Sequence, residues 1–180
     1  MSELIGRTIA DRYRVDAFVG RGGMADVYKV WDSQRLAYLA LKQLHGDLAE
    51  DIAFLRRFRR EARTLEALAH PNIVRFYGLE QVDGMALMIM DFVEGVHLRK
   101  AIFENHAALP LEQVLGIMRP VTAALHYAHQ QGIAHCDMKP ANVMIKQNGD
   151  VFVADFGISR LAESATTTMA GAGTPAYMAP

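Results

Sequence analysis

Cysteine is nearly absent, since the 180 residues contain one, Cys136. One thiol makes no intrachain disulfide and no cysteine-built zinc site. This usage fits a reducing compartment, so a cytoplasmic location is expected. A surplus of one charge sign is also missing. Nineteen Lys and Arg stand against twenty Asp and Glu, for a formal net charge of −1. Without a global basic field, nucleic acid is not an expected partner. Long apolar runs are missing too. The most apolar stretch, Met85–Met90, has strand length, far short of the ~20 residues of a membrane span. The start, MSELIGRTIADRYRV, lacks the basic-then-apolar order of a signal peptide. No membrane contact is therefore expected from this segment. Residues of the set AVILMFWYC make up 51% and DEKR 22%, which are globular values. The length suits one domain or two small lobes.

Residues 13–19 and 25–31 carry the β-branched and aromatic residues of strands, and 37–44 make a third. At 51–69 the period changes. Phe54, Phe58, Glu61, Leu65 and Leu68 are spaced 4, 3, 4, 3, which predicts one face of a helix. Pro71 follows, as expected just past a helix end. Residues 73–80 and 85–91 read as two strands joined through the hairpin signal Asp83-Gly84. After Gly95 the chain turns helical. Residues 111–131 predict a long helix that Pro120 bends or breaks. Residues 143–146 and 151–154 are short strands around Asn148-Gly149. The pattern predicts an α+β chain, with five strands and one helix followed by a mainly helical part, and a boundary at 91–96.

Three constellations carry chemistry. The first is Gly20-Arg21-Gly22-Gly23-Met24-Ala25-Asp26-Val27. Glycines let a backbone approach a ligand closely, and successive N–H groups can cradle phosphate. A strand follows it, which excludes a dinucleotide-binding fingerprint, and no Gly-Lys-Ser/Thr run exists. Taken alone, an ordinary hairpin explains it equally well. The second is Lys42, in an apolar strand, with Glu61, in the apolar stripe of the helix. Charge is costly in both places, and pairing is the economical solution; a structural salt bridge remains the plain alternative. The third is His135-Cys136-Asp137-Met138-Lys139-Pro140-Ala141-Asn142, with Asp155 eighteen residues after Asp137 across a hairpin. A carboxylate can take a proton, an ammonium can neutralise phosphate, and a carboxylate with an amide oxygen suits magnesium. His135 alone reads as a packed core histidine.

In this order and spacing the motifs resemble the eukaryotic-like protein kinases, most closely bacterial Ser/Thr protein kinases with a GxGGMxxVY loop. The remaining motifs are Leu39-Ala40-Leu41-Lys42, Asp155-Phe156-Gly157, and Gly173-Thr174-Pro175-Ala176-Tyr177-Met178-Ala179-Pro180. The resemblance implies a two-lobe kinase-like fold, with an N-lobe at 1–90, a hinge at 91–96 and a partial C-lobe at 97–180. It implies ATP and Mg2+ as cofactors. Val19, Gly20, Arg21, Gly22, Gly23, Met24 and Ala25 would cover the ATP phosphates, and Lys42, paired to Glu61, would contact them. Val27, Ala40 and Met144 would sandwich adenine, Met90 would be the gatekeeper, and Asp91 to Val93 the hinge backbone. Asp137 would act as catalytic base and Lys139 would stabilise the transferred phosphoryl. Asn142 and Asp155 would hold the metal, while Phe156 and His135 would pack. Thr166, Thr167 and Thr168 would form an autophosphorylation patch in an activation segment at 155–180, where a polar loop that merely contains threonines is the plain alternative.

Three departures from the family pattern stand out. Ala25 replaces the third loop glycine. Cys136 replaces the arginine that normally anchors a phosphorylated activation loop, and it reads as a filler rather than a redox sensor. The sequence stops at Pro180, before the glutamate and later helices of the family. A longer complete protein is expected, with a membrane span and sensor domain in receptor-like members. The expected function is transfer of the ATP γ-phosphate to Ser/Thr hydroxyls of protein substrates. The alternatives are an ATP-binding regulatory or inactive fragment, and a small-molecule phosphotransferase of related fold, such as those acting on aminoglycosides.

Overall fold

Alternation of apolar side chains builds the first part of the chain into an antiparallel sheet. The computed structural model describes residues 4–104, 108–156 and 177. Its strands are β1 (Thr8–Ile9), β2 (Tyr13–Arg21), β3 (Ala25–Asp32), β4 (Ala37–Leu44), β5 (Phe76–Val82) and β6 (Met85–Asp91), in the spatial order β1-β2-β3-β4-β6-β5. Direct cross-strand partners share a face. One face pairs Tyr28 with Leu41, Val30 with Leu39, and Leu41 with Ile89. These residues, with Tyr13, Val15 and Leu87, form a buried cluster. Each such side chain contributes about 1.5–3 kcal/mol on burial. The opposite face pairs Val27 with Lys42, Lys42 with Met88, and Ala40 with Met90.

The sheet has six strands, not the five expected. The extra strand, β1, is two residues long and pairs Ile9 with Tyr13, too short to show a period. It doubles back on β2 because Ala10 and Asp11 both take left-handed backbone angles, φ 54 and 52, the combination of a tight hairpin turn. Asp83 and Gly84, φ 50 and 77, make the same kind of turn between β5 and β6.

Two helices follow β4: a short α1 (Gly46–Glu50) and the longer α2 (Ile52–Glu66). Five residues are too few for a periodic signal, which is why α1 merges with α2 in the sequence pattern. Asp51 separates them and caps α2, its Oδ1 accepting the Phe54 N–H at 2.9 Å. Phe54, Leu55, Phe58, Ala62 and Leu65 are buried on α2. Phe58 meets Phe76 with ring centroids 6.3 Å apart, and Phe76 is the direct partner of Met90. Helix α2 therefore lies on the sheet face that carries Ala40, Lys42 and Met90.

The chain divides into two compact units, residues 1–66 with 75–92, and residues 67–74 with 93–180. Residues 67–74 join the second unit through specific bonds. Ile73 bridges Val153 in parallel, and Asn72 Nδ2 donates to Val151 O at 2.9 Å. That unit contains β7 (Gly95–His97), α3 (Leu98–Glu104), α4 (Leu111–Gln130), a 3₁₀ turn at Pro140–Asn142, β8 (Val143–Lys146) and β9 (Val151–Val153), with sheet order β7-β8-β9. Strand β7 was not expected. Gly95 permits it, because a Cβ there would collide with the backbone carbonyl of Ile145 on β8. Pro120 does not break the long helix. Helix α4 runs through it, and Ile117, Val121, Ala124 and Ala128 make a buried stripe. Packing of that stripe offsets the ~3 kcal/mol interior cost of proline.

Candidate active site

In the first unit the glycine-rich segment is the tip of the β2–β3 hairpin. Gly22 N–H donates to Ala25 O at 2.8 Å and closes the turn. Positive φ does not explain these glycines, because Gly20, Gly22 and Gly23 are all outside the left-handed region. Crowding explains only Gly22, whose added Cβ would lie 3.3 Å from Ala25 O; at Gly20 and Gly23 it would meet nothing within 4 Å. The chain's own sterics leave two of the three glycines unaccounted for. Both present bare backbone that a ligand could approach closely.

Val27, Ala40, Lys42 and Met90 share one face of the sheet. Ala40 and Met90 are buried, and Val27 and Lys42 are half-buried. Glu61, on α2, stands over that same face and is also half-buried. Half-burial of both groups means that burial alone does not force the expected Lys42–Glu61 pairing. At the end of β6, the Asp91 N–H is committed to Arg75 O at 2.9 Å. Its side chain accepts from Tyr77 OH at 2.7 Å. Burial, then the bond to Asp91, pushes the Tyr77 hydroxyl up to about 12.

In the second unit the polar residues of the 135–142 loop converge. Asn142 Nδ2 donates to Asp137 O at 2.8 Å and to Asp137 Oδ2 at 3.2 Å. Lys139 Nζ lies 2.6 Å from the same Oδ2. Asp137 and Asn142 are buried, so this carboxylate is held by charge-assisted bonds in a poorly solvated place, where such bonds are strong. The β8–β9 ladder continues one step past the strands, with Ala154 N–H donating to Asn142 O at 2.9 Å. This sets Asn142 beside the residue that precedes Asp155. Cys136 and Asp155 both take left-handed backbone angles, φ 65 and 63. Such strain costs roughly 1–3 kcal/mol per residue and gathers at functional sites.

His135 is the buried brace of the loop. Its Nδ1 accepts the Asp137 N–H at 3.2 Å, so Nε2 carries the proton and donates to Ala154 O at 2.8 Å. Its ring lies 4.6 Å from that of Phe156. Burial lowers its pKa. His135 is thus expected to remain the neutral Nε2–H tautomer below the ordinary histidine value, and nitrogen NMR shifts of a ring-labelled sample check this directly. The sign for stability follows. The unfolded chain takes up a proton as pH falls through the ordinary value, near 6.5, while the folded site refuses it. Stability attributable to His135 therefore falls on acidification through that value.

The donor set suits a divalent cation. Asn142 turns its amide nitrogen to Asp137, which leaves its Oδ1 as a hard oxygen donor, and Asp155 supplies a carboxylate. Among the described residues no group of three or more His, Cys, Asp or Glu side chains forms a metal cluster. Magnesium needs none, since it is held by one or two carboxylates plus phosphates and water. Met144 pairs with Phe152 and His97 in the ladder, and Val93 is buried. Gly157, Thr166, Thr167, Thr168 and the 173–180 segment apart from Tyr177 lie outside the described residues.

The protein kinase domain family matches residues 13–180. The chain belongs to the protein kinase family. The serine/threonine-protein kinase PrkC of Bacillus subtilis is 40% identical over 179 residues, covering 98% of this chain and 28% of PrkC. PknA of Mycobacterium tuberculosis, also a serine/threonine-protein kinase, is 35% identical over 187 residues, covering all of this chain and 43% of PknA. Among solved structures, the kinase domain of M. tuberculosis PknI superimposes with a TM-score of 0.75 at 37% identity, covering 85% of this chain and 61% of that domain. The chain thus spans less than a third of PrkC. Protein kinases as a family use ATP and a divalent metal. Among the described residues, no helix of this kinase chain is long and apolar enough to cross a membrane.

Proposed function

We propose that this chain carries the chemistry of a Ser/Thr protein kinase, moving the γ-phosphoryl of ATP to serine or threonine hydroxyls of proteins. The observation that supports this most is the Asp137–Lys139–Asn142 arrangement, a buried carboxylate fixed by two donors, with Asp155 following the residue whose N–H donates to Asn142 O. Asp137 orients the acceptor hydroxyl and takes its proton. Lys139, poised on Asp137 Oδ2 at 2.6 Å, offsets negative charge on the transferred group. Asn142 Oδ1 and Asp155 would hold Mg2+, which when bound neutralises phosphate charge. In the first unit, the open backbone at Gly20 and Gly23 admits phosphate oxygens, and Lys42 supplies the cation, with Glu61 as its counter-charge. Loop chemistry of this kind acts by positioning and charge neutralisation.

The small-molecule phosphotransferase reading is weaker, because the matched relatives are named protein kinases. Radiolabelled ATP with magnesium, offered a generic basic protein or an aminosugar, separates the two. The expected result is label on protein, recovered as phosphoserine or phosphothreonine after acid hydrolysis. Label on the aminosugar alone overturns the reading.

A further inference from the structure

The hairpin tip that bears the open glycines is held from behind through Asp26 and His45, two side chains to which the kinase reading gives no role. Arg21 and Asp26 are direct cross-strand partners on either side of the tip. Arg21 Nε and Nη2 donate to Asp26 Oδ1 and Oδ2 at 2.8 and 2.9 Å, a bidentate pair. His45 Nε2 lies 3.2 Å from Asp26 Oδ1. The His45 backbone adds a second tie, its N–H donating to Met24 O at 2.9 Å. His45 also leads into α1, its carbonyl accepting from Leu48 and Ala49 at 3.0 and 3.1 Å. One carboxylate therefore joins β2, β3 and the start of α1 around three residues of loop.

The face matters. Asp26 alternates with Val27, so it lies on the side of the sheet opposite Val27 and Lys42. From there the Asp26 carboxylate cannot meet a phosphate that Lys42 contacts. It can act only through the position of the backbone between Arg21 and Asp26. A glycine-rich tip is otherwise the least constrained type of backbone. Ordering it in advance removes an entropy cost from phosphate binding.

We infer that Asp26 is a positioning residue for nucleotide phosphates, and that Arg21 and His45 clamp the loop through it. This rests on the kinase reading, because it takes the loop to be the phosphate site. The test is the affinity of the intact chain for ATP with magnesium, and separately for adenosine, in wild type, Asp26→Asn, Arg21→Ala and the double variant. Asp26→Asn is expected to weaken ATP binding about threefold to fivefold, the size of a good exposed pair, and to leave adenosine affinity unchanged. The double variant is expected to lose no more than the larger single loss, because both changes break one clamp. ATP affinity equal to wild type, or equal losses for ATP and adenosine, overturns the inference and leaves the kinase reading standing. A wild-type chain that binds no ATP overturns both.

Discussion

Asp137→Asn is expected to lower phosphoryl transfer by roughly 10²–10⁴-fold, the usual contribution of a positioned general base, while ATP affinity stays near wild type. Asparagine has the same shape and can still accept from Asn142 and Lys139, so the loop keeps its partners. It cannot take the proton of an attacking hydroxyl, nor balance the charge of Lys139, now 2.6 Å away. Nucleotide affinity should survive because the glycine-rich tip and Lys42 belong to the other unit. A transfer assay paired with an ATP titration measures both quantities. Equal loss of binding and transfer would mean that Asp137 holds the nucleotide instead of activating the acceptor.

Asp32→Ala is expected to destabilise the first unit by about 3 kcal/mol or more, the scale of a broken buried ion pair. Asp32 is wholly buried. It receives Arg12 Nε and Nη2 at 2.8 and 2.6 Å, together with the backbone N–H of Gln34 at 2.9 Å and of Arg35 at 3.3 Å. Alanine strands all of these donors. Arg12 is only one-fifth exposed, so water repays little of the loss. Arg12 also stacks on Tyr13, 4.7 Å from the ring centroid, and Tyr13 OH donates to Glu80 at 2.6 Å. The defect should therefore spread from β2 to β5. Denaturant unfolding reads the loss; a change under 1 kcal/mol contradicts the assignment. The same pair sets an acid limit. Hydrogen bonding to Arg12 holds the Asp32 carboxyl below the usual range. Its contribution is complete above the ordinary aspartate value, near 3.9, and is lost as pH falls further through the folded value.

The long elements and the polar 135–142 loop were legible because each carries a repeated or dense local signal. Strands β2 to β5 carry β-branched, aromatic and apolar residues bounded by turn signals, β6 is a continuous apolar run of strand length, α2 and α4 show a buried stripe, and 135–142 concentrates polar groups that a merely structural loop would not need. Short elements escaped. Strand β1, helix α1 and strand β7 hold two, five and three residues, and none completes enough periods to register. Pro120 does not end α4 because the buried side-chain stripe of the helix outweighs a local rule about backbone. The half-burial of Lys42 and Glu61 was invisible for another reason: a residue in an apolar run is not always sealed from water, and only the packed neighbours decide. The Arg21–Asp26 clamp could have been found from the hairpin register alone, since the two residues are equidistant from the tip. His45 could not, because its approach to Asp26 depends on where α1 begins.

Autophosphorylation of the intact chain with radiolabelled ATP and magnesium, with Asp155→Ala as control, tests the kinase chemistry most directly. Label on threonine, mapped by peptide analysis to Thr166–Thr168 and absent from the control, is the predicted result. Label that persists at wild-type level in Asp155→Ala would contradict the account, because the metal-holding carboxylate would then have no part in the transfer.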